Sequence, residues 1–229
     1  MNPHHAEIAA IPLFERVPAD ALDELVARMR IRALPRGGRA FDQGEPVERA
    51  HVLLSGAVRI SQAGSDGGQV ALRFIGPGEI FGSVAIFTDG QYPADGVAMT
   101  DSVEVSWGRA ELLALTERHP RIALNLIAIV GHRLAELQNR VREMATQRAE
   151  SRIANTLLRL GAQAGRATAA GTEIAFPLRR KDIADISGTT LYTVSRTLGD
   201  WRRRGLIAAA GRGVVLTLPL ELRRIAESV

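Results

Sequence analysis

The sequence predicts an α+β protein with a β-roll toward its N-terminus, a long helix in the middle and a winged helix-turn-helix at its C-terminal end. Three observations carry this expectation. Residues 31 to 107 alternate short apolar runs with glycine turns, the segment after Pro120 repeats apolar residues every three or four positions, and the last third pairs two short helical patterns across Gly188. The domain boundaries follow these changes of texture, at 1–118, 119–147 and 148–229.

Composition bounds what such a chain can be. With 229 residues, 46% of them hydrophobic, it can bury one or two cores without covalent staples. It has no cysteine, which excludes disulfides, iron-sulfur clusters, thiolate zinc sites and cysteine nucleophiles, and points to a cytoplasmic protein. The opening "MNPHHAEIAAIPLFERVP" lacks a long apolar run, so neither a signal peptide nor an anchor is expected. No stretch approaches the roughly 18 apolar residues of a membrane span. Charge is uneven: residues 1–147 hold 15 basic against 18 acidic side chains, net −3, and residues 148–229 hold 14 against 7, net +7. A basic C-terminal third is an electrostatic footprint for a polyanion.

Taken in order, "ADALDELVARMR" places Leu22, Leu25, Val26 and Met29 at helical spacing behind Asp20. Before it, His4 and His5 are expected in a mobile tail. The runs "HVLLSGAVRIS" and "VALRFIG", punctuated by "RGG", "QGEP", "SDGG", "GPGE" and "TDGQYP", read as short strands of a barrel or roll. The helix after Pro120 places Ile127, Val130, Leu134, Leu137, Val141 and Met144 along one stripe through nearly three heptads, the pattern of a homodimer seam. Arg133, Glu136, Arg140 and Glu143 flank that stripe and are expected to face water. The last third then reads as a helix ("AESRIANTLLRLGAQAG"), a strand-like "TEIAFPL", a short helix ("RRKDIADIS"), a glycine turn, and a helix from "TTLYTVSRTLGDW". It ends in two strands about the turn of "LIAAAGRGVVLTL". Two helices joined through a glycine turn and followed by a hairpin form a winged helix-turn-helix.

In the second of those helices Leu191, Val194, Leu198 and Trp201 make the stripe expected to pack on the core, which turns Thr190, Tyr192, Ser195 and Arg196 outward. Outward residues near the start of such a helix meet base edges in a major groove. An arginine there pairs in bidentate fashion with guanine, and a serine hydroxyl meets either a donor or an acceptor. Arg196 and Ser195 are the candidates for base contact. Thr189, Thr190 and Arg179 or Arg180, at helix starts, suit phosphate oxygens. Arg202 to Arg204 are either phosphate contacts or charges that favour the helix C-terminus.

With "GEIFGSVAIFTDGQYPA", "KDIADISGTTLYTVSRTL" and "RRGLI" in this order, the chain resembles the CRP/FNR family of bacterial transcription regulators from about Leu13 to Leu218. The resemblance implies a cyclic-nucleotide-binding-like jelly roll that senses an effector, a homodimer, a palindromic double-stranded DNA site, RNA polymerase as a partner, and no enzyme activity. Thr193-Val194-Ser195-Arg196 matches the family's recognition-helix core, which makes Arg196 the guanine reader and Ser195 its neighbour. Tyr192 stands where the best-known members carry a base-reading glutamate.

In members that bind cyclic nucleotides, a glutamate and an Arg-Ser pair hold ribose and phosphate. The matching places here are Ser83, Pro93 and Ala94, so a cyclic phosphate would be buried without a positive partner and a cyclic nucleotide is not expected. The sequence is similar in style to the nitric-oxide-responsive Dnr/NnrR-like branch, which implies haem and an imidazole ligand for its iron. His4, His5, His51, His119 and His132 are the histidines available, and none is singled out. Two rivals stand beside this reading: a cyclic-nucleotide regulator with a shifted pocket, and a cupin-like metalloenzyme, for which His51 alone in the strand region supplies no ligand set.

Overall fold

Glycine turns between alternating apolar runs do build strands in the N-terminal half, and helical periodicity takes over from residue 109. The computed structural model describes residues 5–64, 68–83, 86, 90–174, 176–211 and 213–228. Its contacts divide the chain into two units, Met1–Ala63 with Ile75–Ala135, and Gly64–Phe74 with Glu136–Val229.

The first half of the chain runs α1 (His5–Ala9), a 3-10 turn (Pro12–Phe14), α2 (Ala19–Arg28), β1 (Arg30–Leu34), β2 (Arg39–Phe41), β3 (Arg49–Ser55) and β4 (Val58–Ala63). It continues with β5 (Gln69–Ile75), β6 (Ile80–Phe81), β7 (Asp95–Ala98), β8 (Ser102–Gly108) and α3 (Arg109–Arg118). In the first unit β1, β8, β3 and β6 form one antiparallel sheet in that order, and β2, β7 and β4 form another. Register decides which side chains meet. His51 lies opposite Ser106, Leu53 opposite Glu104, and Arg32 opposite Glu104, so these share one sheet face. The alternate residues Ala50, Val52, Val105 and Trp107 are buried with Leu13, Phe14, Leu25, Leu112 and Leu115 in one core. Trp107 is fully buried there, its Nε1 donating to the Leu25 carbonyl at 2.8 Å and its ring set edge-on to Phe14.

Two expectations for this half change. The tail predicted to hold His4 and His5 contains α1, with Ile8 fully buried and His5 Nε2 at 3.2 Å from Asp23 Oδ1; His4 lies outside the described residues. A single turn of helix has too few apolar positions to show periodicity, which is why it passed unread. Helix α3 was likewise unread, since it buries only Leu112 and Leu115.

Pro120 opens α4 (Pro120–Thr146), where a missing N–H costs nothing. The stripe is unburied along its length: Leu124, Ile127, Val130, Leu134, Leu137, Val141 and Met144 are all exposed, Ile127 and Val141 by about two thirds. The flanking charges do not behave as predicted. Arg133 donates to the Ile80 carbonyl, Arg140 to those of Leu72 and Ile186 at 3.1 and 3.0 Å, and buried Glu143 pairs with Arg159 at 2.8 Å. Burial, then the charge of Arg159, lowers the Arg140 pKa. Of the four, Glu136 is the exposed one. Long side chains beside the stripe hold the helix to its own chain and leave the apolar residues outside.

The last part runs α5 (Ala149–Ala164), β9 (Gly165–Thr168), β10 (Gly171–Ile174), α6 (Arg180–Ser187), α7 (Leu191–Arg203), β11 (Ile207–Ala210), β12 (Gly213–Leu216) and α8 (Pro219–Glu227). The four strands form an antiparallel sheet in the order β11-β12-β10-β9. Strand β9 is fully exposed and α8 buries only Leu222 and Ala226, so neither has an apolar pattern to read. Ile153, Leu157, Ile183, Val194, Leu198 and Trp201 are among the buried residues beneath the helix pair.

Candidate nucleic-acid interface

The outward helix is α7, and each of its turns has a separate cause. Thr190 is its N-cap: the side-chain Oγ1 accepts from the Thr193 N–H at 3.1 Å and lies 2.9 Å from the Thr193 hydroxyl. Such a cap contributes about 1 kcal/mol. The turn before it is closed by Gly188, whose φ of +61° is a left-handed conformation that favours glycine. A Cβ there would come within 3.0 Å of the Met144 side chain. Arg152 stitches the turn from below, donating to the carbonyls of Ser187 at 2.9 Å, Gly188 at 3.0 Å and Gln147 at 2.7 Å. An arginine inside a helix carries no sequence signal for that role.

On the inner side Val194, Leu198 and Trp201 are buried, with Trp201 Nε1 donating to Glu150 at 2.9 Å. Leu191 departs from the expected stripe: it is 53% exposed. Its helical spacing is right, but the core beneath α7 ends before the first turn, so spacing alone placed it inside wrongly. Tyr192 is 74% exposed. Arg196 is exposed and makes no hydrogen bond among the described residues, while Ser195 accepts from Arg180 Nη1 at 3.3 Å. That contact joins α6 to the outward face of α7, and the sequence reading had not paired these residues.

Candidate phosphate contacts divide by how they are already engaged. Arg179 caps α6 together with Asp182, which is fully buried. The Asp182 carboxylate accepts from the Arg179 backbone N–H, from Nε and from Nη2, the last at 2.8 Å. Its guanidinium is therefore partly committed within its own helix. Thr189 is half-buried, its N–H donating to Ala184 O at 3.0 Å. Thr190 presents a hydroxyl that already serves as a cap. At the far end Arg204 and Arg203 bond Asp200 at 3.3 and 3.2 Å and hold its carboxyl below the usual range, whereas Arg202 makes no such bond.

In the first unit, Ser83 is buried with no hydroxyl partner among the described residues, Ala94 is buried, and the Pro93 carbonyl accepts from Gln62 Nε2 at 3.2 Å. Elsewhere in that unit a half-open cavity of about 380 Å³ is lined by residues that include Arg30, Arg32, Arg49, His51, Tyr92 and Glu104. His51 is buried, with Nδ1 3.2 Å from Glu104 Oε2 and Nε2 3.2 Å from Tyr92 Oη. Arg32 Nε donates to the buried Glu104 at 2.7 Å. Tyr92 donates to the Arg49 carbonyl at 2.8 Å, and burial is the main cause of its raised pKa. Both nitrogens of His51 are thus occupied. Among the described residues no three histidine or acidic side chains converge as metal ligands, and no helix is long and apolar enough to cross a membrane.

A Crp-like helix-turn-helix domain matches residues 151–225, which span α5 to α8, and a cyclic nucleotide-binding domain matches residues 31–119. The cyclic AMP receptor protein of Thermus thermophilus is 30% identical over 86% of this chain and 88% of its own. The chain belongs to the CRP/FNR family. Another CRP/FNR relative, the CRP-like cAMP-activated global transcriptional regulator of Mycobacterium tuberculosis, is 27% identical over 92% of this chain and 94% of its own. Among solved CRP/FNR structures, FixK2 from Bradyrhizobium japonicum superposes with a TM-score of 0.76 at 25% identity, covering 88% of this chain and 98% of that one. The β-roll, the long helix and the winged helix-turn-helix are the architecture of this family, whose members are DNA-binding transcription regulators with an effector-binding domain.

Proposed function

We propose that this regulator is a homodimer that reads a palindromic double-stranded DNA site with α7, under control of an effector held by its β-roll. The observation that carries the reading is the outward face of α7. Arg196 is exposed and unengaged among the described residues, Ser195 is adjacent, and both lie on a helix held by the Thr190 cap and the Trp201 anchor. The net charge of +7 over residues 148–229 supports a polyanionic partner. The exposed stripe of α4 is the dimer seam, with Ile127, Val130, Leu134, Leu137, Val141 and Met144 as its contacts. Two-fold symmetry then sets the recognition helices about 34 Å apart, one helical turn of DNA. RNA polymerase is the partner implied for a regulator of this kind, and the cytoplasm its place of action. A binding selection on randomised half-sites tests the reading: wild type should enrich a palindrome with a guanine opposite Arg196, and Arg196→Ala should lose the preference at that base.

The effector is a small molecule of the β-roll other than cAMP, because Pro93, Ala94 and Ser83 offer a buried phosphate no cation. The cAMP-related names of the two relatives favour the alternative, a cyclic nucleotide in a shifted pocket. Titration calorimetry with cAMP and cGMP separates the two, and micromolar binding that raises DNA affinity would establish the alternative. Nitric oxide through haem, as in the Dnr/NnrR-like branch, draws no support from the described histidines. His51 has both ring nitrogens engaged and His5 is beside Asp23, while His119 caps α3 through its backbone N–H and His132 is exposed on α4.

A further inference from the structure

The half-open cavity of about 380 Å³ in the first unit has no part in the function proposed above, although its volume is that of a small-ligand pocket. Ser83, Pro93 and Ala94, which stand at the cyclic-nucleotide places, are not among its described lining residues. Strand register makes its floor. Arg30 and His51 lie on either side of Ser106, and Arg32 opposite Glu104, so three adjacent strands about 4.8 Å apart turn polar side chains to one face. Part of that face is satisfied from within: Arg32 pairs with the buried Glu104 at 2.7 Å, and His51 is bonded at both ring nitrogens. Two opposite charges and one buried donor are left over. Arg30 and Glu48 line the same cavity and are exposed, and neither side chain has an ion pair or hydrogen bond among the described residues. Opposite charges that face one cavity without meeting leave room for a ligand that carries both. Ser106 is 2% exposed; its Oγ accepts from Arg49 Nε at 2.9 Å, and its own hydrogen has no acceptor among the described residues. Arg49 spends Nε and Nη2 on Ser106 and keeps Nη1.

We infer that this cavity is a second ligand site, and that its ligand is a free α-amino acid. The carboxylate is held by Arg30, Arg49 Nη1 and the Ser106 hydroxyl, which together offer an oxyanion two cations and a buried donor. The ammonium is held by Glu48. A multiply charged anion such as phosphate is disfavoured, because Glu45 and Glu48 both line the cavity and repel it. A zwitterion meets both signs of charge. The rings of Phe41 and Tyr92, stacked at 4.1 Å, also line the cavity and give the ligand's side chain an apolar wall. The site lies within the first unit and is independent of the reading of α7.

The test is calorimetric titration of the full-length protein with each of the free L-α-amino acids at millimolar concentration. Any that binds is then compared with its N-acetyl form, which lacks the ammonium, and its methyl ester, which lacks the carboxylate. At least one amino acid should bind, at one per chain, and both derivatives should bind at least about tenfold more weakly, the loss expected when one charge-assisted bond is removed. Arg30→Gln and Glu48→Gln should each weaken the free amino acid by a similar factor. Both side chains are exposed, so these variants should melt like wild type. The inference is overturned if no amino acid binds, if either derivative binds as tightly as the parent, or if either variant binds as tightly as wild type. No DNA enters the measurement, so such a failure leaves the reading of α7 untouched.

Discussion

Replacing Leu137 with glutamate should separate the dimer without unfolding either chain. Leu137 is 53% exposed in the isolated chain, so about half of its surface remains to be buried by a partner. Full burial of a leucine is worth about 1.5–3 kcal/mol, which leaves about 1 kcal/mol for the exposed half. Two-fold symmetry places the change in both helices, for about 2 kcal/mol lost. A carboxylate on each side of an apolar seam adds further cost, because Ile127, Val130, Leu134, Val141 and Met144 supply no counter-charge, and a buried unpaired ion costs several kcal/mol. A total above about 4 kcal/mol raises the dimer dissociation constant about a thousandfold. Sedimentation velocity over a concentration series reads this directly. The thermal midpoint of the monomer should hold, because the substituted side chain is not in its core. A Leu137→Glu protein that sediments as a dimer at the same concentration as wild type refutes the seam.

Arg196→Ala should cost about 1–3 kcal/mol on the selected site and relax one guanine, read by anisotropy against single-base variants. Thr190→Ala should weaken binding to many sequences alike and destabilise the winged domain by about 1 kcal/mol, because the hydroxyl is the cap of α7; a denaturation curve separates the two effects. Asp182→Asn should destabilise the same domain by about 1–3 kcal/mol, since a buried carboxylate that accepts three bonds from Arg179 loses its charge. Tyr92 has a raised pKa, so the stability tied to its neutral phenol is present below about pH 10 and declines as pH rises through the folded value. Chemical denaturation between pH 8 and 11 should therefore show a steeper alkaline loss in wild type than in Tyr92→Phe.

Much of this protein was legible before its structure, for reasons that differ by element. The strands of the roll announced themselves because glycine turns bound alternating runs, and α7 because Val194, Leu198 and Trp201 repeat at helical spacing. The same reasoning misplaced Leu191, since spacing records direction around a helix and not where the neighbouring core stops. It also misjudged Arg133, Arg140 and Glu143, whose long stems reach carbonyls or a partner far away in the chain. Elements that bury two side chains or fewer, such as α1, β9 and α8, leave no period to detect.

By itself the sequence determined the class of protein. Periodicity, glycine punctuation and charge imbalance are properties of neighbouring residues, and together they specify a roll, a long helix with an apolar stripe, and a basic winged helix-turn-helix. Only the tertiary structure decided how the individual side chains are committed. Arg179 is partly engaged by Asp182, Ser195 accepts from Arg180, Thr190 caps its helix, His51 has no free ring nitrogen, and Leu191 stands in water. The physical reason is range: a helix or strand forms from contacts a few residues apart, whereas hydrogen-bond partners and the edge of a core are set by residues brought together from distant parts of the chain.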